Sequence, residues 1–321
     1  MLLMAEPNGN ATGGARPGSG TRVHVEVEGR SLSLSNLDKL LYPDAGFRKA
    51  DVIDYYRRIA PAMLPHMAGR PPTLVRAPDG ARGERFFEKR CPPHHPAWVR
   101  VSDPLEPNGG QRSAIVEDLP TLVWLANLAA LELHTHQWRL PDVNRPCAVV
   151  LDLDPGPPAD VLDCCRVALS LRELLDHLGL VAVVKTSGGK GLHISVPLNG
   201  ARVTDDDTKN FALALGQMLV ARDPRRTTVN MAKAERPGRV FIDWSQNDRH
   251  KTTICAYSLR IADRPSVSAP ITWDELEAAL DAGDRAALSF EAPAVLARFA
   301  AAGDPYEASL SLRQELPSLD R

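Results

Sequence analysis

The sequence predicts an α+β fold, with sheet and helix in packed layers rather than a doubly wound parallel sheet. Three observations carry this expectation. Short apolar runs at 147–153 and 240–244 read as buried strands. The stretches 51–67, 160–177 and 205–220 repeat apolar residues at helical spacing. Strands and helices then mix without a strict βαβ rhythm, and no internal repeat is visible.

The elements follow in order. Residues 1–21, rich in Gly, Asn, Ala and Ser, read as a disordered tail. Residues 23–27 alternate like an edge strand. Ser35 and Asn36 are placed to cap a short helix through Leu41, which Pro43 would stop. The helix over 51–67 brings Tyr55, Tyr56, Ile59 and Met63 to one face. A strongly apolar helix is expected over 119–131, then an extended piece over 133–138. The strand at 147–153 is followed by the helix at 160–177, ended by Gly179. Residues 181–186 and 192–196 form a hairpin around a glycine turn. The helix 205–220 leads to strands at 240–244 and 252–260, the second lying beside the first. Thr272 and Glu275 make a capping box that opens another helix. Residues 291–321 read as a helical C-terminal appendage.

The totals exclude several classes. A chain of 321 residues, 44% hydrophobic and 24% charged, has the composition of a globular protein. A net charge of −2 confines any nucleic-acid binding to a local basic surface. Five scattered cysteines without a C-x-x-C pair suit reduced thiols in a cytosol. No apolar run is long enough for a membrane span, and the first residues lack a signal-peptide pattern, so a cytoplasmic location is expected.

The chemistry concentrates at three aspartates. Asp152 and Asp154 end the apolar run 149–151, and Asp243 ends the run 240–242. Side chains on a strand repeat every two residues, so Asp152 and Asp154 share a face, their Cα atoms about 6.6 Å apart. Leu151 and Leu153 take the other face. Oxygen-only ligands favour Mg²⁺ or Mn²⁺, and carboxylates at this spacing suit a pair of ions. D-x-D alone would also suit a loop before Pro155, or a glycosyltransferase that binds a sugar nucleotide. Asp243 and the next motif would then have no role.

That motif is the turn at 187–193, with Gly188, Gly189 and Gly191, Lys190 and His193. Glycines let successive N–H groups point into one concavity, which suits phosphate oxygens. Ser187 adds a hydroxyl, Lys190 a charge and His193 a donor. The spacing and the missing helix exclude a Walker A loop. Arg236, Arg239, Arg249, Lys251 and Arg260 flank Asp243, where cations would neutralise a triphosphate. Gln246 and Asn247 come next along the chain as polar contacts or turn formers. Together these residues imply metal-assisted nucleotidyl transfer from a nucleoside triphosphate.

The segments 151–155, 186–193, 241–247, 251–253 and 257–260 closely resemble the polymerase domain of bacterial DNA ligase D and its stand-alone primase-polymerase relatives, in the archaeo-eukaryotic primase superfamily. The resemblance runs from about residue 31 to 290. It implies two facing β-sheets flanked by helices, one lobe like an RNA-recognition module, within a two-lobed catalytic domain over 22–290. It implies Asp152, Asp154 and Asp243 as ligands of two Mn²⁺ or Mg²⁺ ions. It places Ser187, Lys190, His193, Arg236, Lys251 and Arg260 around the nucleotide, with His134 near its sugar. Phe86 and Phe87 resemble the aromatic pair that stacks on the templating base, although neighbours on a strand point opposite ways and one of them would otherwise be core. Asn36, Lys39 and Lys49 resemble a pocket for the 5′ phosphate across a gap.

The implied activity is template-directed addition of ribo- or deoxyribonucleotides at short gaps or DNA ends. The implied partners are gapped or broken DNA with a 5′ phosphate, an ATP-dependent DNA ligase and the Ku end-binding protein. A monomer near the bacterial nucleoid is expected. The alternatives are a gap- or end-binding module with vestigial activity and a primase that starts chains de novo. Cys91, His94 and His95 invite a zinc reading, but no fourth ligand stands nearby. The stretch 139–146 is short for the family, and Ala256 stands where many relatives carry proline.

Overall fold

A computed structural model describes residues 22–105 and 111–317; the tail expected over 1–21 lies outside the described residues. The chain opens with an antiparallel ribbon of β1 (Arg22–Val27) and β2 (Arg30–Ser35). β2 buries Leu32 and Leu34, as period-2 alternation requires. A second ribbon, β3 (Leu40–Tyr42) and β4 (Phe47–Arg48), leads into α1 (Lys49–Met67). Arg48 N–H donates to Asp51 at the start of α1. The helix buries Tyr55, Tyr56, Ile59 and Met63 along the face that the spacing predicts. β5 (Thr73–Arg76), β6 (Phe86–Glu88), α2 (Leu119–Asn127) and β7 (Ala130–Thr135) come next. Side chains of β5, α2 and β7, with those of β2, β3 and α1, form the first of two hydrophobic cores.

After the short ribbon of β8 (Trp138–Arg139) and β9 (Asp142–Pro146) comes the second lobe. It runs β10 (Ala148–Pro155), α3 (Val161–His177), β11 (Val183–Thr186), β12 (Leu192–Pro197), α4 (Asp205–Arg222), β13 (Thr227–Thr228) and β14 (Val240–Asp243). The β10–α3–β11–β12–α4–β14 path is a split βαβ unit, and its strands lie in the order β14-β10-β12-β11. That is the connectivity of an RNA-recognition module. α3 and α4 cover one face of this sheet and make the second core with it.

β15 (Thr253–Ile254) then crosses back to pair with β7, giving the first lobe the order β15-β7-β5-β6. β16 (Pro270–Ile271) returns to the second sheet beside β11. The two sheets face each other. Thr135 from one, and Ala148, Val150, Lys185, His193 and Ser195 from the other, line a shared interior cavity of about 40 Å³. α5 (Trp273–Ala282) opens at the expected capping box, and α6 (Ala292–Ala302) and α7 (Ala308–Ser311) close the chain. Among the described residues, no helix is long and apolar enough to cross a membrane.

Three expectations need correction. The helix from Ser35 to Leu41 is absent: Asn36 sits at φ 54° and turns the chain, and Leu41 and Tyr42 are fully buried in β3. So short a segment cannot repay helix nucleation once its last residue and the next can be buried in a strand. The apolar helix from 119 ends at Asn127 and not at 131, because Asn127 spends its side chain on Ser33 and Ser35 of β2. Ala129 at φ 56° then turns the chain into β7; a fully apolar run does not reveal where helix gives way to strand. The segment 252–260 is not one strand beside β14. Only Thr253–Ile254 is strand, on the other sheet, and Tyr257 at φ 69° bends the chain away from an extended path. The region after 290 is helical, and part of it packs inward. Val295, Leu296 and Tyr306 belong to the first core.

Residues 304–314 tie the two lobes. Asp304 accepts from Tyr257 Oη (2.5 Å) and pairs with His66 Nε2 (2.7 Å) on the first lobe. Asn199 Nδ2, just after β12, donates to the carbonyls of Ser309 and Leu312. Gln314 bonds the backbone of Val181 and Pro197. Burial alone would raise the Asp304 pKa, yet His66 and Tyr257 hold it below the ordinary value of 3.8. A depressed carboxylate contributes stability that is full above its unfolded pKa and is lost as pH falls through the folded one. Asp304→Asn should therefore lower the denaturant midpoint at about pH 6, and the gap to wild type should narrow towards about pH 3. A gap of constant size across that range would show that the charge is not what this contact uses.

Candidate active site

β10 and β14 are antiparallel neighbours, and their register puts Asp152 opposite Asp243. Leu151 and Leu153 are fully buried in the second core, which turns Asp152 and Asp154 to the face between the sheets. The Asp152 pKa is pushed well above its ordinary value, first by burial and then by the charges of Asp154 and Asp243. Asp154 is raised by burial and by Asp243, against Arg236 and Arg260. His193 Nε2 lies 3.3 Å from Asp152 Oδ1. That contact lacks hydrogen-bond geometry, and among the described residues no donor meets the buried Oδ1.

Asp243 is held by its own turn. Its Oδ1 accepts from Ser245 N (3.0 Å) and Ser245 Oγ (2.6 Å), and its Oδ2 from Gln246 Nε2 (3.0 Å). Lys251 Nζ donates to Ser245 Oγ (2.6 Å), so it reaches Asp243 through the serine. Asn247 fastens this turn to β10 by exchanging hydrogen bonds with the backbone of Val150. Among the described residues no three His, Cys, Asp or Glu side chains are drawn tightly enough to enclose an ion as they stand. The donor set still fits a hard divalent cation. It is all oxygen, it has an orphaned buried lone pair at Asp152, and its mutual repulsion is what a cation would relieve.

The glycine turn abuts the aspartates. Ser187 Oγ accepts from the N–H of Gly189 (3.2 Å) and Gly191 (3.1 Å), so the hydroxyl stitches the turn. Gly188 has φ 71°, and a Cβ there would stand 2.6 Å from Arg260 Cγ. At Gly191 a Cβ would run into the carbonyl of Leu153, between the two β10 aspartates. Ser187, Lys190, His193, Gln246 and Arg260 line one cleft of about 380 Å³ with His134, Asp152 and Asp154. Arg236 lies beside Phe241, its guanidinium 3.7 Å from the ring centroid, and Phe241 is the register partner of Asp154.

Two residues of this region carried no role in the sequence reading. Glu132, buried on β7, pairs with His134 Nε2 (2.8 Å), accepts from Ile261 N–H (2.8 Å) and lies 3.5 Å from Arg260 Nε. Burial would raise its pKa, but His134 and Arg260 hold it below the usual range. A lone acid between Leu131 and Leu133 was the available signal. Lys185, only 4% exposed on β11, is pushed down to about 7 by burial, with Asp152 opposing. Burial, then the charges of Lys185, Arg260 and His134, push His193 well below the histidine range.

The remaining predicted residues sit elsewhere. Phe86 and Phe87 are 41% and 75% exposed on the edge strand β6, so neither belongs to the core. Asn36, Lys39 and Lys49 gather at the start of α1. Lys39 N–H donates to Asn36 O, Lys49 N–H to Lys39 O, and Lys49 Nζ to Ser35 O (2.7 Å). Lys49 is pushed down to about 8 by burial and by the Lys39 and Arg76 charges. Lys39 Nζ pairs with Asp79 (2.6 Å).

The family model described as the LigD primase-polymerase domain matches residues 48–306. The chain is 42% identical over 247 residues to the multifunctional non-homologous end joining protein LigD of Mycolicibacterium smegmatis, covering 76% of this chain and 32% of that protein. It is 39% identical over 298 residues to the multifunctional non-homologous end joining DNA repair protein LigD of Mycobacterium tuberculosis, covering 90% and 38%. It thus spans about a third of the length of these relatives, 32% and 38%. Its structure matches that of the polymerase domain of Mycobacterium tuberculosis ligase D in complex with DNA. The TM-score is 0.81 and the identity 38%, over 88% of this chain and 99% of that one.

Gly191→Ala tests the contact between turn and strand. The added methyl meets backbone, which cannot rotate away. A stability loss of about 1–3 kcal/mol is expected by chemical denaturation; an unchanged midpoint would mean that the turn does not rest on Leu153.

Proposed function

This chain belongs to the LigD primase-polymerase domain family, and we propose on that footing that it is a template-directed DNA repair polymerase. It would add nucleotides at short gaps or DNA ends. The observation that carries the reading is that Asp152 and Asp154 line a cleft walled by Ser187, Gly189 and Lys190, with Asp243 set across from Asp152 on the neighbouring strand. Asp152, Asp154 and Asp243 would hold Mn²⁺ or Mg²⁺. Bound there, such ions would activate the attacking hydroxyl and neutralise the departing charge.

The primer 3′ oxygen would attack the α-phosphate, the bond to the β-phosphate would break, and pyrophosphate would leave. The chain's residues would orient the reactants. Lys190, Arg260 and the N–H groups of the glycine turn would bind the triphosphate, and His193 Nε2–H would donate to a phosphate oxygen. Arg236 and Lys251 would add charge from the Asp243 side. His134, held by Glu132, would face the sugar. Exposed Phe86 and Phe87 would stack on template bases, which is worth about 1–3 kcal/mol per base and ignores sequence. Asn36, Lys39, Lys49 and the start of α1 would take the 5′ phosphate beyond the gap. Sealing would then fall to an ATP-dependent ligase, and end capture to Ku.

Incorporation of a labelled nucleotide on gapped DNA tests the central claim. Asp152→Ala should lower it by about 10²–10³-fold. Wild type that binds gapped DNA without extending it would favour a binding module, and products on unprimed single strands would favour a primase.

The pocket at α1 is tested by binding. Removing the 5′ phosphate should weaken binding of gapped DNA, and Lys39→Ala with Lys49→Met should erase that preference. Equal affinity of wild type for both DNAs would refute the assignment.

A further inference from the structure

A second concavity opens beyond the nucleotide cleft. Lys89, His136, Trp138, Arg249 and His250 line a pocket of about 240 Å³. Arg249 lines this pocket and not the nucleotide cleft. Among the described residues no carboxylate lines it, and neither Lys89 nor Arg249 pairs with an acid. The neighbouring acid along the chain, Asp248, is spent on Lys209 Nζ (3.0 Å) and on the His250 N–H (3.0 Å). Arg249 is held in place: its Nη1 donates to Asn144 Oδ1 (2.9 Å), and its carbonyl accepts from Trp138 Nε1 (2.8 Å). His136 stacks on Trp138, with ring centroids 4.3 Å apart. It is only 8% exposed, and its Nδ1 is buried without a partner among the described residues. An orphaned ring nitrogen beside two unpaired cations suits an anion and the water it brings.

We propose that this pocket binds a backbone phosphate of the DNA duplex upstream of the gap. The direction comes from β7. Just before its start, Asn127 bonds the backbone of Ser33 and Ser35, and Ser35 O accepts from Lys49 Nζ, so the proposed 5′-phosphate pocket stands at that end. At the other end His134 lines the nucleotide cleft, and His136, two residues on, lines the new pocket. Phe86 stands level with the start of β7, across β5, and Lys89 follows β6 at the level of His134. DNA that runs from the α1 pocket past the stacked template base therefore reaches Lys89 and Arg249 on its upstream side. β7 has six residues, about 20 Å of strand. Nucleotides of one strand rise about 3.4 Å each, so the linkage gripped lies among the first few upstream of the gap. A phosphate is held by charge and not by base, so the contact positions the duplex without selecting sequence. The identity of the anion and its direction rest on the polymerase reading above; the anion site itself does not.

Binding of gapped DNA to the whole chain, measured without nucleotide over a range of salt, tests it. Lys89→Gln combined with Arg249→Gln changes two exposed side chains. It should weaken binding by about 3- to 10-fold at ~0.1 M salt and flatten the slope of log affinity against log salt by about one. Neutral methylphosphonates, placed singly at the first few linkages upstream of the gap in either strand, locate the contact. One of them should weaken wild type by a similar factor and leave the double variant unaffected. The strand in which it lies tells whether the 3′-ended strand or its template is held. Removing the downstream 5′ phosphate should cost wild type and variant alike. A variant with wild-type affinity and slope overturns the proposal, as does a methylphosphonate series in which no linkage separates the two proteins. Wild type that binds this DNA but never extends it would sink the polymerase reading and leave the pocket standing.

Discussion

The pairing of β10 with β14 is the constraint on which the site depends. It sets Asp152 across from Asp243, beside the cleft that Asp152 and Asp154 line. Like charges there repel, and burial penalises the Asp152 carboxylate further. A fold left to optimise stability would not choose this arrangement. The register is held because Leu151, Leu153 and Ile242 on the opposite face are packed against α3 and α4, and a one-residue slip would turn every leucine outward. The apolar side of the strand thus compels what the polar side must tolerate.

Each sheet supplies a different part of the cleft. The split βαβ sheet gives the carboxylates and the glycine turn. The other gives His134 and Glu132, while Arg260 comes from the irregular segment after β15. That segment can stay irregular because its backbone groups find partners: Cys255 N–H donates to Leu133 O, and Tyr257 N–H to Ser268 O. Arg260 therefore arrives between the sheets without belonging to either.

Much of this was legible in the sequence, where periodicity and local chemistry agreed. α5 begins at the capping box that the sequence displays, α3 and α4 occupy the stretches with helical spacing, and β10, β12 and β14 include the short apolar runs read as strands. The aspartates and the turn were readable because glycine, lysine and acid at strand ends have few purely structural uses. The failures fall where tertiary partners overrule local signals. Asn36 resembled a helix cap and became a turn, and an apolar run concealed the join of α2 to β7. Lys185 and Glu132 were invisible as residues of the site, since their partners lie across a strand or on the facing sheet. No spacing along the chain encodes such neighbours.

The segment from Asp304 to Gln314 touches the first lobe at one end and the second at the other, behind the cleft. It acts as a tie-bar on the back of a clamshell. Prising the halves apart would first require snapping this bar, so the gape of the jaws is set from the rear.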